Sequence, residues 1–227
     1  MDTVYIETSI VSYATSWPSK ITKTAAMQQE AKDWWKLERP RFDLVTSQLT
    51  INEASAGDAS AAADRLSLLA GLPLLAISKD AEDLAAKILS GHMMPEKAAA
   101  DALHVAVAAL GRVNYLLTLN CTHIANAHEL PRVYRLLNSE GLGGMLICTP
   151  SKFLGGTYMN DPIIDELHRT RERLLEESGG TLASLVSKLE KDQMKSGRKL
   201  IATRRTKDCS EADGRPQSDG SSVSSAR

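Results

Sequence analysis

Five short apolar runs, each followed by a stretch with helical spacing, constrain this chain more than anything else in it. The runs fall at 4–7, 44–47, 72–77, 115–119 and 145–148. Between them lie helical patterns at about 22–37, 48–70 (broken near Gly57-Asp58), 80–90, 96–111 and 129–140. Such alternation predicts βαβ units: an α/β fold with a parallel sheet covered on both faces. Ligands of such sheets gather beyond the carboxyl ends of the strands.

The chain has 227 residues, 43% hydrophobic, enough for one domain with a sizeable core plus an appendage. Net charge is −1, so no global basic field marks a nucleic-acid binder. Three cysteines, Cys121, Cys148 and Cys209, show no C-x-x-C spacing. That pattern fits reduced thiols of a cytoplasmic protein better than a disulfide frame or a zinc site. Asp2 and Glu7 interrupt any signal-peptide pattern. No apolar run approaches the ~18 residues of a membrane span, so no membrane partner is expected.

Polar residues stand at the expected strand ends. Glu7 closes the first apolar run in "VYIETSIVSY". Glu53 lies in "SQLTINEAS", just after the second run. Asp101 lies in "EKAAADALHVAVAAL", a helix apolar nearly all round and therefore expected to be buried. Asn120 ends "YLLTLN", with Thr118 two residues earlier on the same side of the strand. An unpaired buried carboxylate costs several kcal/mol or neutralises itself. Lys and Arg are scarce near these acids. Oxygen ligands converging at the sheet edge suit Mg²⁺ or Mn²⁺.

In "VYIETSIVSY", "LTINEAS", "DALHVAVA" and "LLTLNCTHIAN", in that order, residues 1–155 resemble a PIN-domain protein of the VapC toxin type. The resemblance implies a three-layer sandwich around a five-stranded parallel sheet, an acidic Mg²⁺ site and endoribonuclease activity. Carried over by position, Glu7, Glu53, Asp101 and Asn120 would form the catalytic metal site. Glu7 and Asp101 would be central, with Glu53 and Asn120 at an outer position. Two departures stand out. Glu7 replaces the usual Asp and is one methylene longer. Asn120 replaces a frequent fourth Asp and removes one negative charge, which should weaken a second metal.

Blander readings stand beside these. Glu7 also suits a helix N-cap or a strand-end salt bridge, Glu53 a helix-face acid, and Asn120 an Asx-turn. Ser9 and Thr118 would support the carboxylates, and Ser9 equally suits a helix start. His104 shares the helix face of Asp101; an Asp-x-x-His pair suits a metal, but the preferred reading is a packed histidine beside the site. His123 and Asn126 would touch substrate or else fix their loop. Cys121 has no base-like partner that would make it a nucleophile. Lys20 and Lys23 form a small basic cluster suited to phosphates or simply to solvent. Trp34-Trp35 reads as helix packing.

Composition shifts after Thr149-Pro150. Residues 151–160 read as a linker. Asp161-Pro162 opens a helix of about 162–177, which Gly179-Gly180 ends; Thr181 then caps a second helix. The expected divisions are 1–155, a basic helical extension at 159–207 and a disordered tail at 208–227. The extension resembles short proteins encoded beside such PIN genes. By that resemblance, the helix 162–177 would pack on the first domain through Ile163, Ile164, Leu167 and Leu174. Arg198, Arg204 or Arg205 would then approach the acids as an antitoxin segment in cis. Further expected partners are RNA, an antitoxin in trans and a second copy in a homodimer. A rival reading is a catalytically weak PIN-like module that binds RNA or a protein partner. A small-molecule phosphatase lacks support, because no Gly-rich phosphate loop is present.

Overall fold

The computed structural model describes residues 1–153 and 162–195, which fall into two compact units divided between Met159 and Asn160. Most of the expected linker, the tail at 208–227 and the side chains of Ile163 and Ile164 lie outside the described residues. So do Arg198, Arg204 and Arg205.

The first unit is built on a five-stranded, all-parallel sheet. Its strands are β1 (Thr3–Ile6), β2 (Asp43–Ser47), β3 (Leu74–Leu75), β4 (Tyr115–Leu117) and β5 (Leu146–Cys148), in the order β3-β2-β1-β4-β5. Helices α1 (Thr8–Thr15), α2 (Thr22–Asp33), α3 (Gln48–Ala54), α4 (Ala59–Leu69), α5 (Lys79–Ser90), α6 (Ala99–Leu110) and α7 (Leu130–Ser139) connect or flank them. β1 is central, and its alternation splits the core. Tyr5 faces a cluster with Leu116 and helices α5 to α7. Val4 and Ile6 face the opposite cluster, with Ile10, Val11 and Trp34. Three layers result, as expected from strands apolar on both faces.

The break predicted near Gly57-Asp58 separates α3 from α4. Gly57 adopts φ +90°, and the Asp58 side chain accepts from the Ala61 N–H at 2.9 Å. β3 is shorter than its apolar run. The helix start that Glu7 and Ser9 suit is realised as α1, although it is absent from the helical spacing between the apolar runs. The β-branched run Thr8, Ile10 and Val11 favours strand locally. Tertiary packing overrides it: Ile10 and Val11 are fully buried, and α1 packs on α2.

β2 and β4 lie on either side of β1, while β3 and β5 lie outward in opposite directions. The chain therefore reverses its direction of travel beside β1. That switch point opens a crevice at the carboxyl ends of β1 and β4.

In the second unit, α8 (Pro162–Glu177) and α9 (Leu182–Lys195) pack on each other. Gly179 and Gly180, both at positive φ, end α8 as expected. The Thr181 hydroxyl accepts from the Ser184 N–H at 3.1 Å and caps α9, also as expected. Leu167 and Leu174 of α8 remain exposed, as do Leu182, Val186 and Leu189 of α9.

Candidate metal centre

Glu7 follows the last residue of β1 and caps α1, accepting from the Ser9 N–H at 3.1 Å. The capping reading and the strand-end acid are thus the same residue. Glu7 also accepts the hydroxyl protons of Ser9 and of Thr118, the latter at 2.7 Å. Ser9 Oγ in turn accepts the Leu119 N–H at 2.8 Å, tying the start of α1 to the end of β4. Glu7 is only 5% exposed, so this collar of donors replaces most of its water.

Glu53 arrives from the next strand end. Ser47 closes β2 and its hydroxyl caps α3, which brings Glu53 to the crevice. Its Oε2 accepts from the Thr8 hydroxyl and meets His104 Nε2 at 3.0 Å. No hydrogen bond is made to Oε1 among the described residues, so that oxygen remains for a ligand. Burial alone would raise this carboxyl, but the hydrogen bonds from His104 and Thr8 and the His104 charge outweigh it and hold it below the ordinary carboxylate range.

His104 is fully buried on α6. Its Nδ1 lies 2.8 Å from the Tyr5 hydroxyl, which also meets Ser47 at 2.6 Å and Thr50 at 3.3 Å. A closed polar chain therefore runs from the middle of β1 through the α6 imidazole to Glu53. Burial chiefly pushes the Tyr5 phenol up to about 12.

Glu7, Glu53 and His104 each place a ligand atom within 4.8 Å of the other two, and no other such group of three or more His, Cys, Asp or Glu occurs among the described residues. Atoms sharing one Mg²⁺ at ~2.1 Å bonds lie at most ~4.2 Å apart, so a small side-chain movement suffices. Two carboxylates fit Mg²⁺ or Mn²⁺, while His104, with one ring nitrogen on Tyr5 and the other on Glu53, orients a carboxylate instead of ligating.

Asp101 is not part of that trio. Its Oδ2 lies 2.8 Å from His123 Nδ1, and its Oδ1 accepts from Asn120 Nδ2 at 3.0 Å. Asn120 Oδ1 accepts from the His123 N–H at 3.2 Å, so its expected ligand oxygen is already engaged by one donor. The Asn120 N–H donates to Thr118 Oγ1 at 2.9 Å, linking this pair to Glu7 through one hydroxyl. Asn126 uses both ends of its amide locally, on the Thr122 carbonyl and the His128 N–H, and so fixes its own loop.

Sequence reading missed Tyr5, Thr8, Ser47 and Thr50. The only local signal was the hydroxyl pair Thr8-Ser9 directly after Glu7. A cleft of about 640 Å³ opens beside Glu7, lined also by Ser9, Tyr13, Lys23, Asn120 and Thr149 but by neither Glu53 nor Asp101. A depression of about 630 Å³ between α5 and α6 has a largely apolar lining around Ile77, Ala85 and Leu103 and contains none of the clustered acids. No helix is long and apolar enough to cross a membrane among the described residues.

A family model, that of the PIN domain, matches residues 4–135, more than half of the chain. No curated protein and no solved structure gives a significant match.

Proposed function

Because the chain belongs to the PIN-domain family, we propose that its sheet-edge cluster is the centre of a metal-dependent endoribonuclease of the VapC type. The observation that carries the reading is the meeting of Glu7 and Glu53, from two different strand ends, with His104. Glu7 and Glu53 would hold Mg²⁺ or Mn²⁺, with Asn120 one hydroxyl away and Asp101 beyond it. When bound, such a cation supplies Lewis acidity for water activation and offsets charge on a phosphate.

The chain's own groups do the rest. Ser9 and Thr118 fix Glu7, and His104 and Thr8 fix Glu53, so neither carboxylate reorganises when substrate arrives. Lys23 offers a cation at the cleft wall for an RNA phosphate. Asp101 and His123 form a polar pair that holds Asn120, which lines the cleft. Hydrolysis by water needs no covalent intermediate.

On the same reading, an antitoxin in trans or the basic segment 159–207 in cis would control the site, and the protein would act as a homodimer. The test is incubation of the full chain with total RNA and Mg²⁺, with and without chelator. Discrete, chelator-sensitive fragments are expected. Tight RNA binding without cleavage would instead indicate the weak binding module.

A further inference from the structure

Trp17 is 92% exposed, although tryptophan is among the most buried residues on average. It stands in the connection between α1 and α2, and this loop is firmly held. Gln28 of α2 is buried at 5% exposure and uses its whole amide on the loop. Its Oε1 accepts from the Ser19 N–H at 2.9 Å, and its Nε2 donates to Ser16 Oγ at 2.6 Å and to the Trp17 carbonyl at 2.7 Å. Ser16 Oγ donates onward to the Tyr13 carbonyl at 3.1 Å. Pro18 further restricts the Trp17 backbone. The indole is thus displayed on a pinned loop.

The loop and the start of α2 mix lysines with one other exposed apolar side chain, Ile21, which is 66% exposed. Lys20 and Lys23 are both exposed. Lys23 and Tyr13 line the cleft that contains Glu7, and Glu30, the acid on the same wall, has its carboxyl raised by burial. Ser9 at one end of α1 belongs to the metal cluster's collar, and Trp17 follows the other end. Eight residues of helix span ~12 Å, or about three to four stacked nucleotides.

We propose that Trp17 is a stacking platform for an unpaired nucleobase of single-stranded RNA, a few nucleotides from the phosphate at Glu7, with Lys20 and Lys23 meeting the intervening backbone. An aromatic face joined to lysines leading into an acidic cleft matches how single strands are held: bases stack and phosphates pair with cations. A protein partner would more naturally meet a broader apolar patch than Trp17 and Ile21, which the lysines accompany. The proposal rests on the ribonuclease reading and names its substrate class.

The experiment uses the full chain, chelator to prevent cleavage, and a ten-nucleotide single-stranded RNA as probe. Wild-type tryptophan fluorescence is expected to be quenched on binding, and the Trp17→Phe variant to bind with most of that signal lost. Trp17→Ala should weaken binding by about 5- to 150-fold, the loss of one stacked base. In Mg²⁺ the same variant should raise KM more than it lowers kcat. Equal binding by wild type and Trp17→Ala would overturn the proposal while leaving the ribonuclease reading intact. The same would follow if Trp17→Ala altered only the mass by light scattering, which would assign the indole to a second copy. A wild-type protein that neither binds nor cuts the probe would overturn both readings.

Discussion

His104 joins Tyr5 to Glu53: one ring nitrogen lies 2.8 Å from the Tyr5 hydroxyl and the other 3.0 Å from Glu53 Oε2. The imidazole therefore transmits the rigidity of the central strand to a carboxylate of the clustered pair. Tyr5→Phe leaves His104 Nδ1 buried without that partner. We expect a loss on the order of 1–3 kcal/mol. The Mn²⁺-induced rise in melting temperature should also shrink, because Glu53 loses its orienting group. Thermal melts with and without Mn²⁺ read both quantities, and unchanged values would remove the chain from the account.

Asn120 is the second point of leverage. Its amide donates to Asp101, so Asn120→Asp exchanges a hydrogen bond for two facing carboxylates. The metal-free protein should melt lower. The added charge should strengthen divalent-ion binding, so the gain in melting temperature on adding Mg²⁺ should exceed that of wild type. A variant with the same metal-free stability and the same Mg²⁺ response would contradict the proposed role of Asn120 beside the metal.

The two described cysteines should differ sharply. Burial pushes the Cys148 thiol up to about 12, whereas Cys121 is exposed and lines the cleft. With so raised a value, almost none of Cys148 is thiolate at pH 8. Iodoacetamide should therefore label Cys121 and spare Cys148 until the protein unfolds, and the bulky adduct at Cys121 should slow cleavage. Peptide mass mapping against time decides this. Equal labelling rates would mean that Cys148 is more open than its burial indicates.

Much of the architecture was legible because five apolar runs were too short for helices and evenly interleaved with helical spacing. The positions of Glu7, Glu53 and Asp101 followed from acids at apolar strand ends or on an apolar helix. Helix α1 was legible only through its cap, Glu7, and its start at Ser9, since its β-branched residues oppose helix and burial of Ile10 and Val11 decides the matter. The Tyr5 link was hidden for another reason. Alternation along β1 assigns Tyr5 to the core, and nothing local says that its hydroxyl finds Ser47, Thr50 and His104 there. The pairing of Asp101 with His123 likewise depends on how the loop after β4 folds back on α6.

The central claim is that Glu7 and Glu53 together hold the cation that makes this domain a ribonuclease. The direct measurement is a cleavage time course on a fluorescent single-stranded RNA, with Mg²⁺ or Mn²⁺, for wild type, Glu7→Gln and Glu53→Gln, alongside the metal-induced change in melting temperature of each. Chelator-sensitive cleavage by wild type is expected, with a loss of at least about 100-fold in either variant and a diminished metal response in both folded variants. Cleavage that persists in chelator, or that survives both substitutions, would contradict the claim.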